Sequence, residues 1–156
     1  MRARETPAPA AAVALALALS AVGCAPPAGP RPIALGTPCA GCGMDVRDLR
    51  FACERHVGTD WRVYDSIECL IRDAGASTTA GATTSRPGAT WLADYDHQSL
   101  HAAESLWVVR GEFASPMGGG FAAFLDLAAA DSIAATTRGR VDRLAAFMPA
   151  PVGVAR

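Results

Sequence analysis

The sequence predicts an α+β fold built from two small strand–strand–helix–strand units in tandem. Short runs of β-branched and aromatic residues bounded by glycine and aspartate predict the strands, and one helical stretch lies in each half. A glycine–methionine pair, Phe-Ala and Asp-Ser-Ile also occur in the same order twice, first from Gly43 to Ile67 and again from Met117 to Ile133. This parallel fits a duplicated unit, with chance similarity as the alternative.

The first unit is predicted to contain a hairpin followed by a helix. Asp65 and Glu68 have the three-residue spacing of a capping box, which places the start of the helix at Asp65, and Gly75 ends it. In chain order, the predicted elements are a strand over 51–57, a returning strand over 61–64, a helix over 65–75, a Thr/Ala/Gly/Ser-rich loop over 77–88 and a short strand over 90–94.

The second unit repeats this order around a loop with three consecutive glycines. Asp126 begins an alanine-rich helix, and Gly139 stops it. In chain order, the predicted elements are a strand over 106–109, the glycine loop over 115–120, a short strand over 121–124, a helix over 126–137 and a final strand over 141–147.

The composition argues against some classes of function. The chain has 156 residues and a formal net charge of −1, with acidic and basic residues interspersed. A nucleic-acid-binding protein needs a basic stripe and a polybasic membrane patch needs clustered cations, so neither function is expected. Only 6% of the residues are aromatic, which predicts a modest, aliphatic core.

The N-terminal segment has the features of a lipoprotein signal peptide. Arg2 and Arg4 precede an apolar run over 10–22 that is shorter than a membrane-spanning helix. The run ends at Ala-Val-Gly-Cys24, which resembles the bacterial lipobox. We therefore expect residues 1–23 to be removed and Cys24 to be lipidated, with an ordinary secretory signal as the alternative. A lipid-anchored chain of this kind leaves the cytosol and meets a compartment that permits disulfides.

Behind this leader the sequence predicts one folded domain. Residues 24–38 are rich in proline, alanine and glycine and are expected to be a flexible linker that holds the domain off a membrane. The folded domain is expected over 39–148, with sub-units over about 39–95 and 96–148, and a disordered tail follows over 149–156.

The segment Cys39-Ala-Gly-Cys42-Gly-Met44 carries the strongest chemical signal. Soft sulfur ligands favour soft metal ions, Cu(I) above all. Cys42 supplies an anionic thiolate, and in an extended backbone Met44 points to the same face. Met117, which is followed by three glycines, supplies a second neutral thioether. We expect Cys42, Met44 and Met117 to hold Cu(I), with Cys39 as the fourth candidate ligand.

Other interpretations of these residues remain open at this point. Cys39 and Cys42 also fit half of a structural zinc site or a thiol–disulfide active site. Cys53 and Cys69 are either buried free thiols or a disulfide pair. His97 and His101 share a face and can bind a metal if the segment is helical, whereas a solvated polar turn is the alternative.

The order of four motifs resembles the NosL family, the copper-binding accessory lipoproteins of nitrous oxide reductase. The matching stretches are CAGCGMDV (Cys39–Val46), VYDSIECL (Val63–Leu70), ADYDHQSLHAAESLWVV (Ala93–Val109) and SPMGGGFAAFLDLAAA (Ser115–Ala130). They cover most of the chain after the linker. Within these motifs, Cys42 and Met44 fall on the family's CGM, Met117 on its PMG, and Cys39 on its first cysteine.

The resemblance implies a metallochaperone without turnover of its own. It implies a fold related to the N-terminal part of organomercurial lyase, and an outer- or inner-membrane lipoprotein that faces the periplasm. It also implies that Cu(I) is passed toward the copper–sulfur centre of nitrous oxide reductase, with the reductase or its ABC-type maturation transporter as partner. A periplasmic thiol–disulfide enzyme or an organomercurial-lyase-like enzyme is the alternative function.

Overall fold

The computed structural model of the chain describes residues 29–79 and 88–149, and these form seven strands and two α-helices. Short 3₁₀ turns precede β1 and follow β4 and β7. The elements are β1 (Cys53–Val57), β2 (Asp60–Tyr64), α1 (Ile67–Thr79), β3 (Thr90–Ala93), β4 (Leu100–Ala102), β5 (Trp107–Arg110), β6 (Phe121–Phe124), α2 (Leu127–Thr136) and β7 (Arg140–Asp142). No helix within the described ranges is long and apolar enough to cross a membrane.

The strands form two antiparallel sheets with the same core topology. The first sheet has the order β2-β1-β3-β4, and the second has the order β6-β5-β7. In both, the first strand of the unit is flanked by its hairpin partner and by the strand that follows the helix. The predicted α+β fold of two strand–strand–helix–strand units is therefore confirmed. β4 follows the expected boundary near residue 95, yet it extends the first sheet.

One buried carboxylate lies at the junction of the two sheets. Asp94 forms a parallel bridge with Ala123, and its Oδ1 accepts a hydrogen bond from the backbone N–H of Leu125 at 2.9 Å. Its Oδ2 lies 3.0 Å from the backbone nitrogen of His97 and 2.5 Å from the ring Nδ1 of the same residue. His97 therefore belongs to a turn, and His101 to β4, so no helix presents the two rings together.

Three local predictions differ from the structure. The cap of α1 is Ser66, whose hydroxyl oxygen accepts from the N–H of Cys69 at 3.4 Å, because Asp65 turns toward the cysteines instead. α1 also continues past Gly75 to Thr79. The final strand is confined to β7, since a 3₁₀ turn replaces it from Leu144 onward. The predicted cap of α2 is confirmed, with Asp126 accepting from two backbone N–H groups.

The hydrophobic core joins the two units. One cluster combines residues of β1, β2, α1 and β3 with Leu106, Val108, Phe121 and Leu144 of the second unit. Cys39, Cys53 and Cys69 are all buried in this cluster. A smaller cluster lies between the second sheet and α2. Because the larger cluster crosses the junction, the loops of both units are held at fixed positions relative to each other.

The described part of the expected linker contacts the first sheet. The backbone N–H of Arg31 donates to Oε2 of Glu54 at 2.8 Å, and the guanidinium of Arg31 lies 4.5 Å from the ring centre of Trp61. Trp61 in turn stacks on Trp91. Burial raises the pKa of the Glu54 carboxyl, although the hydrogen bond and the charges of Arg31 and His56 act in the opposite direction.

We expect Glu54→Gln to melt at a higher temperature than the unaltered chain at neutral pH. The pKa of Glu54 is higher in the folded than in the unfolded chain, so the folded state binds more protons between the two values and stability falls as pH rises through that window. Glutamine keeps the acceptor oxygen without the charge. Thermal melts followed by circular dichroism should show the advantage shrinking on acidification. A lower melting temperature at neutral pH, with the exposed Glu104→Gln control unchanged, would contradict this account.

Candidate metal centre

Cys39 and Cys42 lie on a tight hairpin at the edge of the first unit. Its base is closed by a bridge between Pro38 and Asp45, and the N–H of Cys39 donates to the carbonyl of Met44 at 2.8 Å. Gly43 has a φ of +76°, a conformation that favours glycine, so the backbone between Cys42 and Met44 is not extended. The expectation that these two side chains share one face, which rested on an extended backbone, is therefore not supported.

The hairpin lies directly against the start of α1. A Cβ added at Gly41 would lie 3.1 Å from both Cβ and the carbonyl oxygen of Cys69, so only a residue without a side chain fits here comfortably. The N–H of Ala40 also donates to the carbonyl of Val63 at the end of β2. These contacts bring the hairpin cysteines next to a third cysteine that lies 27 residues further along the chain than Cys42.

Four potential ligand atoms meet at this contact, and we refer to them as the thiol cluster. The three sulfurs and one carboxylate oxygen all lie within 4.8 Å of one another. Cys42 is half-buried and the other three are buried. The members of the thiol cluster are Cys39, Cys42, Asp65 and Cys69. All four cysteines in the described residues are free, so the disulfide considered for Cys53 and Cys69 is not formed.

The thiol cluster combines buried neutral thiols with an unsatisfied carboxylate oxygen. Burial raises the pKa of the Cys39 thiol, and a side-chain hydrogen bond to Asp65 adds to the effect. Burial also raises the pKa of Cys69, again with a contribution from Asp65. Oδ1 of Asp65 is buried and has no hydrogen-bond partner. A buried oxygen without a partner is unusual in proteins and is a free donor for a cation.

The N-terminus of α1 partly offsets the cost of placing a negative charge at this site. Cys69 lies in the first turn of the helix, where backbone N–H groups and the helix dipole favour negative charge. A thiolate or carboxylate at this position is therefore less costly than elsewhere in the core. Burial still dominates for Cys69, since its pKa lies above the ordinary value of a thiol.

The two predicted thioether ligands lie in different surroundings. Met117 is half-buried and packs against the hydrophobic cluster that contains Cys39 and Cys69. Met44 is 49% exposed and lines a cleft of about 700 Å³ between the hairpin and residues 114–116. Asp65 lines the same cleft, so the cleft reaches the thiol cluster. Cys24, the predicted lipidation site, lies outside the described residues.

A single carboxylate ties the loop that carries Met117 to the helix that carries Cys69. Oε1 of Glu68 accepts from the hydroxyl of Ser115 at 2.5 Å and from the N–H of Gly119 at 3.0 Å. The N–H of Gly120 then donates to the same hydroxyl oxygen. The sequence predicted that Glu68 completes a capping box. Its carboxylate instead accepts hydrogen bonds from a loop about fifty residues further along the chain.

Cys69 was not identified as a site residue from the sequence, and Asp65 was predicted to be a helix cap, with a metal-site role as the lesser alternative. Their separation from the hairpin is set by tertiary packing, which the spacing of residues does not reveal. One signal was available, because a cysteine in the first turn of a predicted helix is placed where anionic ligands are favoured. Of the predicted ligands, the structure brings Cys39 and Cys42 together, and it places Met117 against the same core.

The comparisons with known proteins support the fold. No protein-family model matches the chain, and no curated protein matches its sequence at a significant level. The chain is similar to the crystal structure of the copper chaperone NosL from Shewanella denitrificans, with a TM-score of 0.64 and 16% sequence identity. The match covers 80% of this chain and 99% of that one. At this identity the similarity shows a shared fold, which confirms the predicted NosL-like architecture.

We expect Gly119→Ala to destabilise the protein by about 1–3 kcal/mol, the range for overpacking a close contact. A Cβ at this position would lie 2.4 Å from Cγ of Glu68, so the carboxylate must move away from Ser115. Urea denaturation measures the loss. In the double variant Glu68→Ala/Gly119→Ala the clash is absent, so the two losses should be far from additive. Additive losses would show that the contact is not the cause.

Proposed function

We propose that this chain is a Cu(I)-binding metallochaperone, with the metal held at the thiol cluster and no turnover of its own. The observation that carries the proposal is the convergence of three cysteine sulfurs and one carboxylate oxygen within 4.8 Å. The shared fold with a protein described as a copper chaperone supports it. Thiolates and thioethers are the ligands that Cu(I) prefers in proteins.

Charge balance favours a ligand set with few thiolates. Cu(I) carries one positive charge, so one thiolate neutralises it, and each further anion, the Asp65 carboxylate included, must be stabilised in a buried place. Cys42 is the half-buried member of the thiol cluster, so a charge there keeps some contact with solvent. Met117 adds a donor without adding charge. We infer that Cys42 and Met117 are the principal ligands, with Cys39 and Cys69 available to the metal from the buried side.

Met44 is suited to the exchange of metal with a partner. Its exposed side chain lies at the cleft that reaches Asp65 of the thiol cluster. A thioether does not titrate, so it remains a ligand at any pH. An exposed, weakly binding sulfur next to a tighter site can contact copper first when it binds and last when it is released.

A structural zinc ion is the rival function that the geometry supports. Three cysteines and one carboxylate supply the four ligands of a tetrahedral zinc site. A thiol–disulfide enzyme is less well supported, because a nucleophilic cysteine needs a lowered pKa and burial raises that of Cys39. Cys39 and Cys42 also lie on a hairpin rather than at the start of a helix.

The client and the location follow from the motif resemblance. We infer that the copper is passed toward the copper–sulfur centre of nitrous oxide reductase, directly or through its ABC-type maturation transporter. The lipobox-like leader supports a periplasm-facing lipoprotein anchored through Cys24. A neighbouring reductase and transporter gene would support this client.

We expect the purified domain to bind one Cu(I) per chain, and Cys42→Ser or Met117→Leu to weaken binding by at least about tenfold, or about 1.4 kcal/mol. Leucine preserves the volume of methionine and removes only the sulfur. Competition with a chromophoric Cu(I) chelator under anaerobic conditions measures the affinity. Cys69→Ser should produce a smaller loss, since Cys69 lies on the buried side of the thiol cluster.

Two matched variants serve as controls for this experiment. Cys53→Ala removes a buried thiol that is not a member of the thiol cluster, and Met148→Leu removes a sulfur that packs against the same core. Both should keep the affinity of the unaltered protein. Full Cu(I) affinity in the double variant Cys42→Ser/Met117→Leu would refute the proposal. A tenfold preference for Zn²⁺ lost in Cys69→Ser and Asp65→Asn would favour the zinc alternative.

We expect Cys24→Ala to move the protein from the membrane fraction to the soluble periplasmic fraction. The substitution removes the thiol that the lipid would modify. Fractionation after metabolic labelling with a palmitate analogue measures both effects at once. Label retained in the variant would exclude Cys24 as the lipidation site.

A further inference from the structure

A second cleft, of about 400 Å³, is lined by Glu68 and by residues of α1, β5, β6 and β7. Its floor is apolar, since Phe121 packs edge to face against Phe147 with ring centres 5.3 Å apart. Three guanidinium groups surround that floor. We call it the arginine cleft, and the residues that define it are Ile71, Arg72, Arg110, Phe121, Arg140 and Phe147.

Two of the three guanidinium groups of the arginine cleft lie over aromatic rings, and that of Arg140 also donates to the carbonyl oxygen of Ala146. Arg110 lies over Phe121 at 5.4 Å from the ring centre, and Arg140 lies over Phe147 at 4.3 Å. Neither they nor Arg72 makes a salt bridge among the residues that the structure describes. In the remainder of the chain the sequence contains a single acidic residue, Glu5 of the leader. The charges of this cleft thus lack an internal counterpart.

The one acidic residue that lines the cleft is partly engaged elsewhere. Oε1 of Glu68 accepts from Ser115 and Gly119, whereas its Oε2 is buried without a hydrogen-bond partner. The local charge of the three arginines and Glu68 is therefore positive, on a chain whose net charge is −1. This contrast marks the cleft as a site of attraction for an acidic group.

The combination of arginines and phenyl rings fits a particular kind of partner. A guanidinium pairs with a carboxylate through two parallel hydrogen bonds, and stacking on an aromatic ring keeps it oriented for such a pair. Between the arginines, the apolar floor accepts a hydrophobic side chain. A protein segment in which acidic and apolar residues alternate satisfies both features, whereas a nucleic acid or an anionic membrane requires a larger basic surface than three arginines provide.

We propose that the arginine cleft is the docking surface for an acidic, partly hydrophobic segment of a protein partner. The link between this docking surface and copper transfer rests on the proposed function, in which the partner that docks here is the one that exchanges metal. Glu68 lies between the two sites: it lines the cleft, it holds the loop of Met117, and it precedes Cys69 in α1. A partner seated in the cleft therefore lies one side chain away from the copper ligands.

The test uses the metal-free domain and a fluorescein-labelled peptide in which glutamate alternates with leucine. A second peptide with glutamine in place of glutamate is the neutral counterpart. Fluorescence anisotropy should show binding of the first peptide only, and weaker binding at higher salt. Arg110→Gln/Arg140→Gln should weaken binding by at least about tenfold, or about 1.4 kcal/mol. Arg72→Gln, on the exposed surface of α1, gives a structurally milder second variant with a smaller loss.

The control variant removes the same charge elsewhere. Arg47→Gln/Arg138→Gln eliminates two exposed arginines outside the arginine cleft, one of which lines the cleft beside Met44. It should bind the peptide as the unaltered domain does. Equal loss in both double variants would overturn the proposal, as would binding that appears only after deletion of residues 150–156, since the cleft would then accommodate the chain's own tail.

The peptide-binding experiment can fail or succeed independently of the Cu(I)-binding experiment. Arg110→Gln/Arg140→Gln should keep the Cu(I) affinity of the unaltered domain, because neither residue contacts the thiol cluster. Peptide binding without copper binding would refute the metallochaperone and leave the docking surface standing. Copper binding without any peptide binding would refute the docking surface alone.

Discussion

The carboxylate of Glu68 is the contact on which the site as a whole depends. It fixes the second unit's glycine loop to the first turn of the first unit's helix, across about fifty residues of sequence. Asp94 and the common core join the two sheets, and Met117 itself packs against that core. Glu68 adds the hydrogen bonds that attach the tip of the Met117 loop to the helix of Cys69. This contact requires a glycine at position 119, because a side chain there would occupy the space of the Glu68 carboxylate.

Burial and charge determine the protonation of the thiol cluster, and the softness of its ligands determines its preference among metal ions. Its buried thiols are neutral without metal, because the core disfavours thiolates and the helix N-terminus only partly offsets that preference. A metal of single positive charge, with one thiolate and neutral thioethers, changes the net charge of the core least. A divalent metal would be balanced by one thiolate together with the Asp65 carboxylate. The softness of the sulfur ligands, and not charge, is therefore what favours Cu(I) over a divalent ion.

The sequence predicted the architecture and part of the candidate site, and the limits have physical causes. The hairpin of the first unit, the capped helix at Asp126 and the strand over 121–124 follow from local patterns, which is why they agree with the structure. The predicted end of α1 was wrong because a glycine inside a helix costs only about 1 kcal/mol and does not have to end it. The roles of Asp65 and Glu68 were wrong because both carboxylates form contacts between distant segments, whereas a capping pattern describes only neighbours in sequence.

The contact of Arg31 with the first sheet limits how far the domain can lie from Cys24. Its backbone N–H donates to Glu54 and its guanidinium lies over Trp61, so contacts with the domain begin at residue 31 and not at residue 39. Arg31 is the seventh residue after Cys24. Even fully stretched, at about 3.6 Å per residue, the segment between them spans roughly 25 Å. In a chain lipidated at Cys24, as proposed, so short a segment would restrict metal exchange to partners whose accessible sites lie close to the lipid surface, and those partners would meet a high local concentration of the protein.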